Sequence, residues 1–471
     1  MATTERRRRR GQRQRRDKHK RGSSRKVARA GDGAAAAAAA TTVEDVPDHL
    51  LQVILLRLDS SVSLLRAAAA CTRWRRVVAD AGFLRSFRSL HGARHVVGLY
   101  HTVDPCFGSP PPAGGSSVVF VPSSPPPVIG VDSRFFSLDF LPDYHDNDSW
   151  SWQLVDSRGG LLLFSKKRKS TSRWAAMAEA RCFSFPDLVV CEPLTRRYQG
   201  IVSPVYFRRL QCLGVFLLDG DAADADDIGG GIRMSNFRVV AALHGRTWQH
   251  DRAVPLACVF TSGSDGGWRV LQSAAAAAVD LPERFDLINF AGRAGGCLYW
   301  GIDGEDGAML VLDEATMRFS IDMFPETIRA SYDKWTFRVI DGGGSDDDDG
   351  ALIRVVRVMR DDLKVFAQIA GSGEWVVKRL VSLREATRGL PGHRETYFRQ
   401  EAKIVAANAA YVLLTPQEKK KWLFSVELET GKVERRHERN RYAGAAYSYE
   451  LPWPPALQAC ADYGGGRRRR R

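Results

Sequence analysis

The sequence predicts a multidomain α plus all-β chain: a small three-helix domain, then a large β-propeller-like domain, with disordered basic termini. Three observations carry this. Apolar residues at three- and four-residue spacing are confined to residues 43–91. Short β-rich runs separated by Gly, Pro, Asp and Ser clusters fill residues 95–463. Within that second region an acid–threonine phrase recurs three times.

Residues 1–42 hold an Arg-rich segment, Gly31-Asp32-Gly33 and seven alanines, Ala34–Ala40. A short polyalanine has the propensity for helix but nothing to pack against, so this segment reads as a disordered arm. At 43–91 the texture changes. Asp45 suits an N-cap and Pro47 the first turn of a helix, where its missing N–H is not needed. Leu50, Leu51, Ile54, Leu55 and Leu58 follow as one wide helical face. Asp59-Ser60-Ser61 interrupts the pattern. A second helix is then expected through Leu64, Leu65, Ala68, Cys71 and Trp74 to Val78, and a third with Phe83, Leu84 and Phe87 ending near His91-Gly92. Three short helices bury little surface alone, so such a unit needs a partner or a neighbouring domain.

The β-rich runs include Val96–Tyr100, Leu161–Phe164, Arg238–Val240, Leu256–Phe260 and Ile353–Val358. The Pro-rich stretch 109–127 and the acidic stretches 219–231 and 341–350 read as surface loops. The repeated phrase is Glu192-Pro193-Leu194-Thr195 with Tyr198, Asp313-Glu314-Ala315-Thr316 with Phe319, and Glu427-Leu428-Glu429-Thr430 with Val433. An acid and a threonine suit a tight turn, because their oxygens accept backbone N–H bonds there. Gly296 precedes Asp313, and Ala410 precedes Glu427, by 17 residues each. The first copy carries a basic insertion around Lys166–Arg181. The acids are 121 and 114 residues apart, which is two units each if one sheet takes about 40–60 residues. Sheet repeats of that size suggest a propeller, which leaves few open strand edges.

The formal charge of the 471-residue chain is +15, from 69 Lys+Arg against 54 Asp+Glu. Residues 1–30 carry +12 and Arg467–Arg471 a further +5, so residues 31–466 sit at −2. The basicity therefore belongs to the two ends, 1–42 and the tail 464–471, and a nucleic-acid-binding body is not indicated. Hydrophobic residues at 44% exclude wholesale disorder. Without an apolar run of 18 residues or a secretory h-region, a soluble intracellular protein without membrane contact is expected. The eight dispersed cysteines read as reduced and mostly buried.

The run Val46-Pro47-Asp48-His49-Leu50-Leu51-Gln52-Val53-Ile54-Leu55-Leu56-Arg57-Leu58, followed by Leu64–Cys71 and Thr72-Arg73-Trp74-Arg75, closely resembles an F-box. Val46 replaces the motif's usual Leu, Asp59 a frequent Pro and Ala70 the usual Val. Val190–Tyr198, Gly296–Trp300 and Tyr449–Pro455 are similar to segments of plant F-box proteins with a propeller-like associated domain. The resemblance implies a substrate receptor of a Skp–cullin–F-box ubiquitin ligase, docking a Skp-type adaptor, and through it a cullin, while the β domain holds an unknown target protein. The adaptor-facing positions it implies are Val46, Pro47, Leu50, Leu51, Ile54, Leu55, Leu58, Leu64, Leu65, Cys71 and Trp74. For Leu51, Leu55 and Trp74, packing among the helices themselves is an equal reading.

No phosphate-binding loop, H-E-x-x-H or G-x-S-x-G motif is present, so no catalytic role and no cofactor are expected. Asp219-Gly220-Asp221-Ala222-Ala223-Asp224 lacks the remaining acids and closing Glu of a calcium loop, and Asp346–Asp349 likewise reads as solvated. The Arg-rich ends suit nuclear import, or weak polyanion contacts that fall away with salt, so the expected location is nucleus or cytoplasm. A nucleic-acid-associated or nuclear scaffold held by those ends is the competing reading.

Overall fold

The computed structural model describes residues 46–58, 61–91, 96–102, 118–122, 133–142, 150–168, 185–219, 232–247, 250–263, 267–271, 281–282, 287–304, 307–330, 332–342, 353–369, 371–417, 422–435 and 446–450. The arm 1–42, the tail 464–471, the Pro452–Pro455 phrase and most of the two acidic stretches lie outside the described residues.

Residues 48–91 form four helices, one more than expected: α1 (Asp48–Leu56), α2 (Ser61–Ala70), α3 (Thr72–Val78) and α4 (Ala81–His91). The expected second helix is cut at Cys71, whose backbone is extended (φ −154°, ψ 165°). Its Sγ accepts the Trp74 N–H at 3.4 Å, so the thiol caps α3 from the place a serine more often takes. Asp80 Oδ1 does the same for α4 by accepting the Phe83 N–H at 2.9 Å. Leu51 and Leu55 of α1 are buried together with Leu64, Ala68, Val77, Val78, Phe83, Leu84 and Phe87. The ring of His91 lies 2.7 Å from the Leu56 carbonyl and ties the last helix to the end of the first.

Beyond His91 strands are the main element of the described chain. The first two are β1 (Val96–Thr102) and β2 (Val118–Pro122). Strand β2 lies inside the stretch 109–127, which corrects the expectation of a continuous surface loop there. The run Val118-Val119-Phe120-Val121 is β-branched and aromatic, and its proline comes only at the last position, where it interrupts nothing. Five antiparallel meanders follow, each running first strand to fourth in chain order. They are β3 (Trp150–Arg158), β4 (Leu161–Arg168), β5 (Leu188–Glu192), β6 (Arg197–Ile201); β7 (Gln211–Leu218), β8 (Arg238–Thr247), β9 (His250–Thr261), β10 (Trp268–Leu271); and β11 (Ile288–Ala294), β12 (Cys297–Ile302), β13 (Ala308–Asp313), β14 (Phe319–Met323). After the short helix α5 (Glu326–Arg329) come β15 (Phe337–Asp341), β16 (Ile353–Met359), β17 (Asp362–Gln368) and β18 (Trp375–Ser382). Helix α6 (Leu383–Ala386) leads to β19 (Lys403–Ala407), β20 (Tyr411–Thr415), β21 (Phe424–Glu427) and β22 (Val433–Arg435). The last strand, β23 (Ala446–Glu450), returns to pair with β1, so both ends of this region share one three-stranded sheet, β2-β1-β23.

Each core lies between one sheet and the next. Leu163, Val190 and Ile201 of the first meander meet Leu217, Val239, Leu243 and Cys258 of the second. Phe216, Val240 and Val259 meet Trp300, Leu310 and Phe319 of the third. The same arrangement joins the third to the fourth and the fourth to the fifth. Tyr100 of β1 and Tyr449 of β23 pack with Leu154 and Phe164 of the first meander, their rings edge-on at 5.7 Å.

First strands approach their neighbours closely. Gly292 of β11 makes a single parallel bridge to Val339 of β15, which joins two meanders into one eight-stranded sheet. A Cβ on Gly292 would lie 1.9 Å from the Val339 carbonyl oxygen, so only glycine fits. A β-bulge sits in β3 (Leu154/Asp156), β7 (Cys212/Gly214), β11 (Phe290/Gly292) and β19 (Ile404/Ala406), so four of the five first strands kink at this level.

The repeated acid–threonine phrases are the β5–β6, β13–β14 and β21–β22 turns. Thr195 donates its hydroxyl to Glu192, Thr316 to Asp313 at 2.9 Å, and Thr430 to Glu427. The residue after each threonine is left-handed: Arg196 (φ 56°), Met317 (φ 54°) and Gly431 (φ 73°). One whole meander separates successive copies, which accounts for their spacing. Asp313 also accepts the amides of Ala315 and Thr316 at 3.0 and 2.6 Å, and these donors hold its carboxyl below the usual range.

Two outcomes follow for stability measurements. Tyr449→Ala removes a fully buried ring from the sheet that joins both ends of the β region, and denaturant unfolding registers a loss of about 3 kcal/mol. The stabilisation from Asp313 is complete above the ordinary carboxylate range and disappears as pH falls through its depressed value. In acid titrations of thermal stability, Asp313→Asn therefore shows a shallower acid limb than the unaltered protein.

Candidate functional site

Helix α1 carries two faces. Leu51 and Leu55 turn inward at 1% exposure each, while Leu50, Val53 and Ile54 stand 48, 49 and 53% exposed at i, i+3 and i+4. Three apolar side chains are thus left in solvent side by side on a nine-residue helix, which makes this face the candidate site. Asp48, at the start of the helix, is bound to Arg73 of α3 by a 2.9 Å hydrogen bond and an ion pair, which holds α1 against α3. The sequence expected one wide face through Leu50, Leu51, Ile54, Leu55 and Leu58, and the structure splits it.

The other expected positions divide the same way. Pro47 and Cys71 are exposed, and Val46, Leu58 and Trp74 are half-buried. Leu51, Leu55 and Leu64 are interior at 0–1% exposure, which gives them the packing role and narrows the accessible set. Leu65 lies in α2, and its side chain is outside the described residues. Val53 was missed, although its i+3 spacing from Leu50 was legible.

A second cluster, absent from the sequence reading, lies where the first three meanders meet. Asp156 and Arg158 of β3, Asp219 after β7, Arg293 of β11 and Glu314 in the β13–β14 turn converge there. Asp156 and Arg293 each follow a bulge in their strand. Arg158 grips the carboxylate of Asp219 with two nitrogens, with Nε 2.8 Å from Oδ1. Arg293 grips Glu314 with Nε at 2.5 Å and a second nitrogen at 2.7 Å. Asp156 accepts the Leu217 N–H at 2.7 Å, while its nearest cation, Arg293, stands at 3.7 Å. Burial pushes the carboxyls of Asp156 and Glu314 up to about 7, against the Leu217 and Ser157 N–H groups and then Arg158 at Asp156, and against Arg158 at Glu314. No group of three or more His, Cys, Asp or Glu side chains suited to hold a metal ion occurs among the described residues. No described helix is long and apolar enough to cross a membrane. Of the five described cysteines, Cys191 and Cys258 are buried and Cys297 is half-buried, but Cys71 and Cys212 are exposed, fewer buried than expected.

The F-box-like family model matches residues 43–88, the segment that contains α1–α3 and most of α4. The comparison with curated proteins gave no match. Solved structures similar to the chain include a functionally unknown protein from Desulfotomaculum acetoxidans DSM 771 (11% identity, TM-score 0.30, 64% of this chain and 76% of that one). Others are a putative 6-phosphogluconolactonase from Bacteroides uniformis ATCC 8492 (10% identity, TM-score 0.31, 76% and 98%) and TolB from Acinetobacter baumannii (11% identity, TM-score 0.28, 61% and 68%). At such TM-scores these likenesses carry no argument about fold or activity.

The two faces of α1 respond differently to charge. Ile54→Arg leaves the far-ultraviolet spectrum and melting temperature of the chain close to unchanged, because the side chain is already in water. Leu55→Arg places an unpaired cation in the helical core and unfolds residues 48–91, seen as lost helical signal and rapid proteolysis of that segment.

Proposed function

We propose that the chain is a non-catalytic substrate receptor of a Skp–cullin–F-box ubiquitin ligase, with its helical segment docked on a Skp-type adaptor. The observation that carries this reading is the exposed stripe Leu50, Val53 and Ile54 on a helix inside the segment that matches an F-box-like model. The half-buried Trp74 of α3 extends the candidate surface, and an aromatic at such a place is the usual energetic anchor. The ligation chemistry then belongs to other subunits, and this chain supplies proximity and orientation.

The β region is the part proposed to hold the target protein, with its sheets arranged as propeller blades. What supports that arrangement is the succession of shared cores, the close packing of first strands and the pairing of β1 with β23. The Arg-rich ends are proposed as nuclear-import signals with weak polyanion contacts as a side effect, placing the protein in the nucleus, the cytoplasm or both.

Co-purification with a Skp-type adaptor tests the reading, with the full chain compared against Leu50→Arg/Ile54→Arg. The double variant retains its melting temperature and recovers at least tenfold less adaptor. Equal adaptor recovery by a folded double variant removes the docking assignment. Deleting residues 1–30 and 467–471 leaves adaptor recovery intact while abolishing retention on a polyanion column.

A further inference from the structure

Charge is unevenly spread within the near-neutral stretch 31–466. Residues 46–91 hold seven arginines and no lysine against Asp48, Asp59 and Asp80, a net of +4. Residues 31–45 carry −3, so the −2 of residues 31–466 leaves −3 for residues 92–466. The positive charge thus falls on the segment whose first helix leaves Leu50, Val53 and Ile54 in water. Its described carboxylates are both engaged: Asp48 by Arg73 at 2.8 Å, and Asp80 by the Phe83 N–H at 2.9 Å. Asp59 lies outside the described residues. Arg57, Arg66, Arg75, Arg76 and Arg85 are all exposed, and none is ion-paired among the described residues. Arg75 gives only its Nε, to the Ala68 carbonyl at 3.4 Å.

Two of these arginines border the apolar stripe. Arg57 stands three residues after Ile54 and four after Val53. Its N–H closes the last turn on the Ile54 carbonyl at 3.2 Å, so the face that starts at Leu50 ends in a guanidinium. Arg76 stands three residues after Arg73 on α3, on the same side of that helix. Arg73 itself grips Asp48, two residues before Leu50, at the other end of the stripe. The surface is therefore an apolar patch set between arginines.

We propose that this face takes an apolar patch bordered by carboxylates on the adaptor, with Arg57 and Arg76 steering the encounter, an assignment that rests on the adaptor-docking reading. Rim charges of this kind stay solvated and add little affinity; they set which surface is attracted and how fast it arrives. A second copy of this chain is a poor occupant, because it sets arginine against arginine. A nucleic-acid backbone matches the charge but offers nothing apolar to Leu50, Val53 and Ile54. An acidic protein surface with an apolar centre satisfies both parts of the face.

Association and dissociation rates of the full chain with a purified Skp-type adaptor, followed from about 50 to about 500 mM salt, test the steering. Arg57→Glu/Arg76→Glu keeps its melting temperature and its dissociation rate, but associates about tenfold more slowly than the unaltered chain at low salt. The two rates converge at high salt, and Arg57→Gln/Arg76→Gln falls between them. Arg269→Glu/Arg399→Glu makes the same change of net charge at exposed positions of the β region and stays within about twofold of the unaltered rate. The Arg-rich ends are common to all of these chains, so the differences read the rim alone. An association rate indifferent to the Arg57/Arg76 reversal overturns the acidic-partner assignment and leaves the docking reading standing. Failure of the unaltered chain to bind the adaptor at any salt overturns both. Binding to duplex DNA or to phosphatidylserine vesicles that is lost in both Arg57→Glu/Arg76→Glu and Leu50→Arg/Ile54→Arg gives the face to that polyanion and overturns the assignment as well.

Discussion

At one point, where Gly292 of β11 meets Val339 of β15, two first strands lie so close together that no side chain fits between them, and much else in the β region follows from that closeness. At Gly292 the approach to Val339 leaves no room for a Cβ. The bulges in β3, β7, β11 and β19 are the local answer, since each adds twist and lets one residue leave the crowded plane. Charges on such strands cannot be solvated individually. They must be neutralised by one another, which is why Asp156, Arg158, Arg293 and Glu314 appear as one network drawn from separate sheets. The same closeness lets each interface between sheets work as a full hydrophobic core.

The helical segment solves a different problem. Four short helices have only a small shared interior, and nine apolar residues fill it. Placing Leu50, Val53 and Ile54 outside leaves apolar surface in water that a purely structural bundle would have avoided. That exposure is unfavourable for the free chain and becomes favourable on association, which is the usual logic of a surface meant to be covered.

Much of the fold was legible because it depends on local chemistry. Period-four leucines marked α1, β-branched runs marked β1, β8, β9 and β16, and the acid–threonine phrase marked three equivalent turns. The misses have physical causes. The break at Cys71 depends on a sulfur serving as a cap, which hydrophobic periodicity cannot register because Cys71 and Trp74 fit the helical face equally well. Strand β2 was hidden by prolines that flank it. The inward and outward leucines of α1 have the same composition, and only packing separates them. The charge cluster was illegible in principle: Asp156, Asp219, Arg293 and Glu314 sit on separate sheets or turns, and their meeting is a property of topology rather than of spacing.

The pairing of β1 with β23 also sets an order of events during synthesis. Helices α1–α4 lie wholly within residues 48–91, and the ties Asp48–Arg73 and His91–Leu56 close within that span, so they are able to form once residue 91 has left the ribosome. Strand β1 emerges moments later, yet one of its two partners is among the last strands made. Contacts of such sequence separation form late and slowly. The nascent chain therefore presents its helices while the Tyr100 edge of its first β strand still waits for Tyr447 and Tyr449 to arrive.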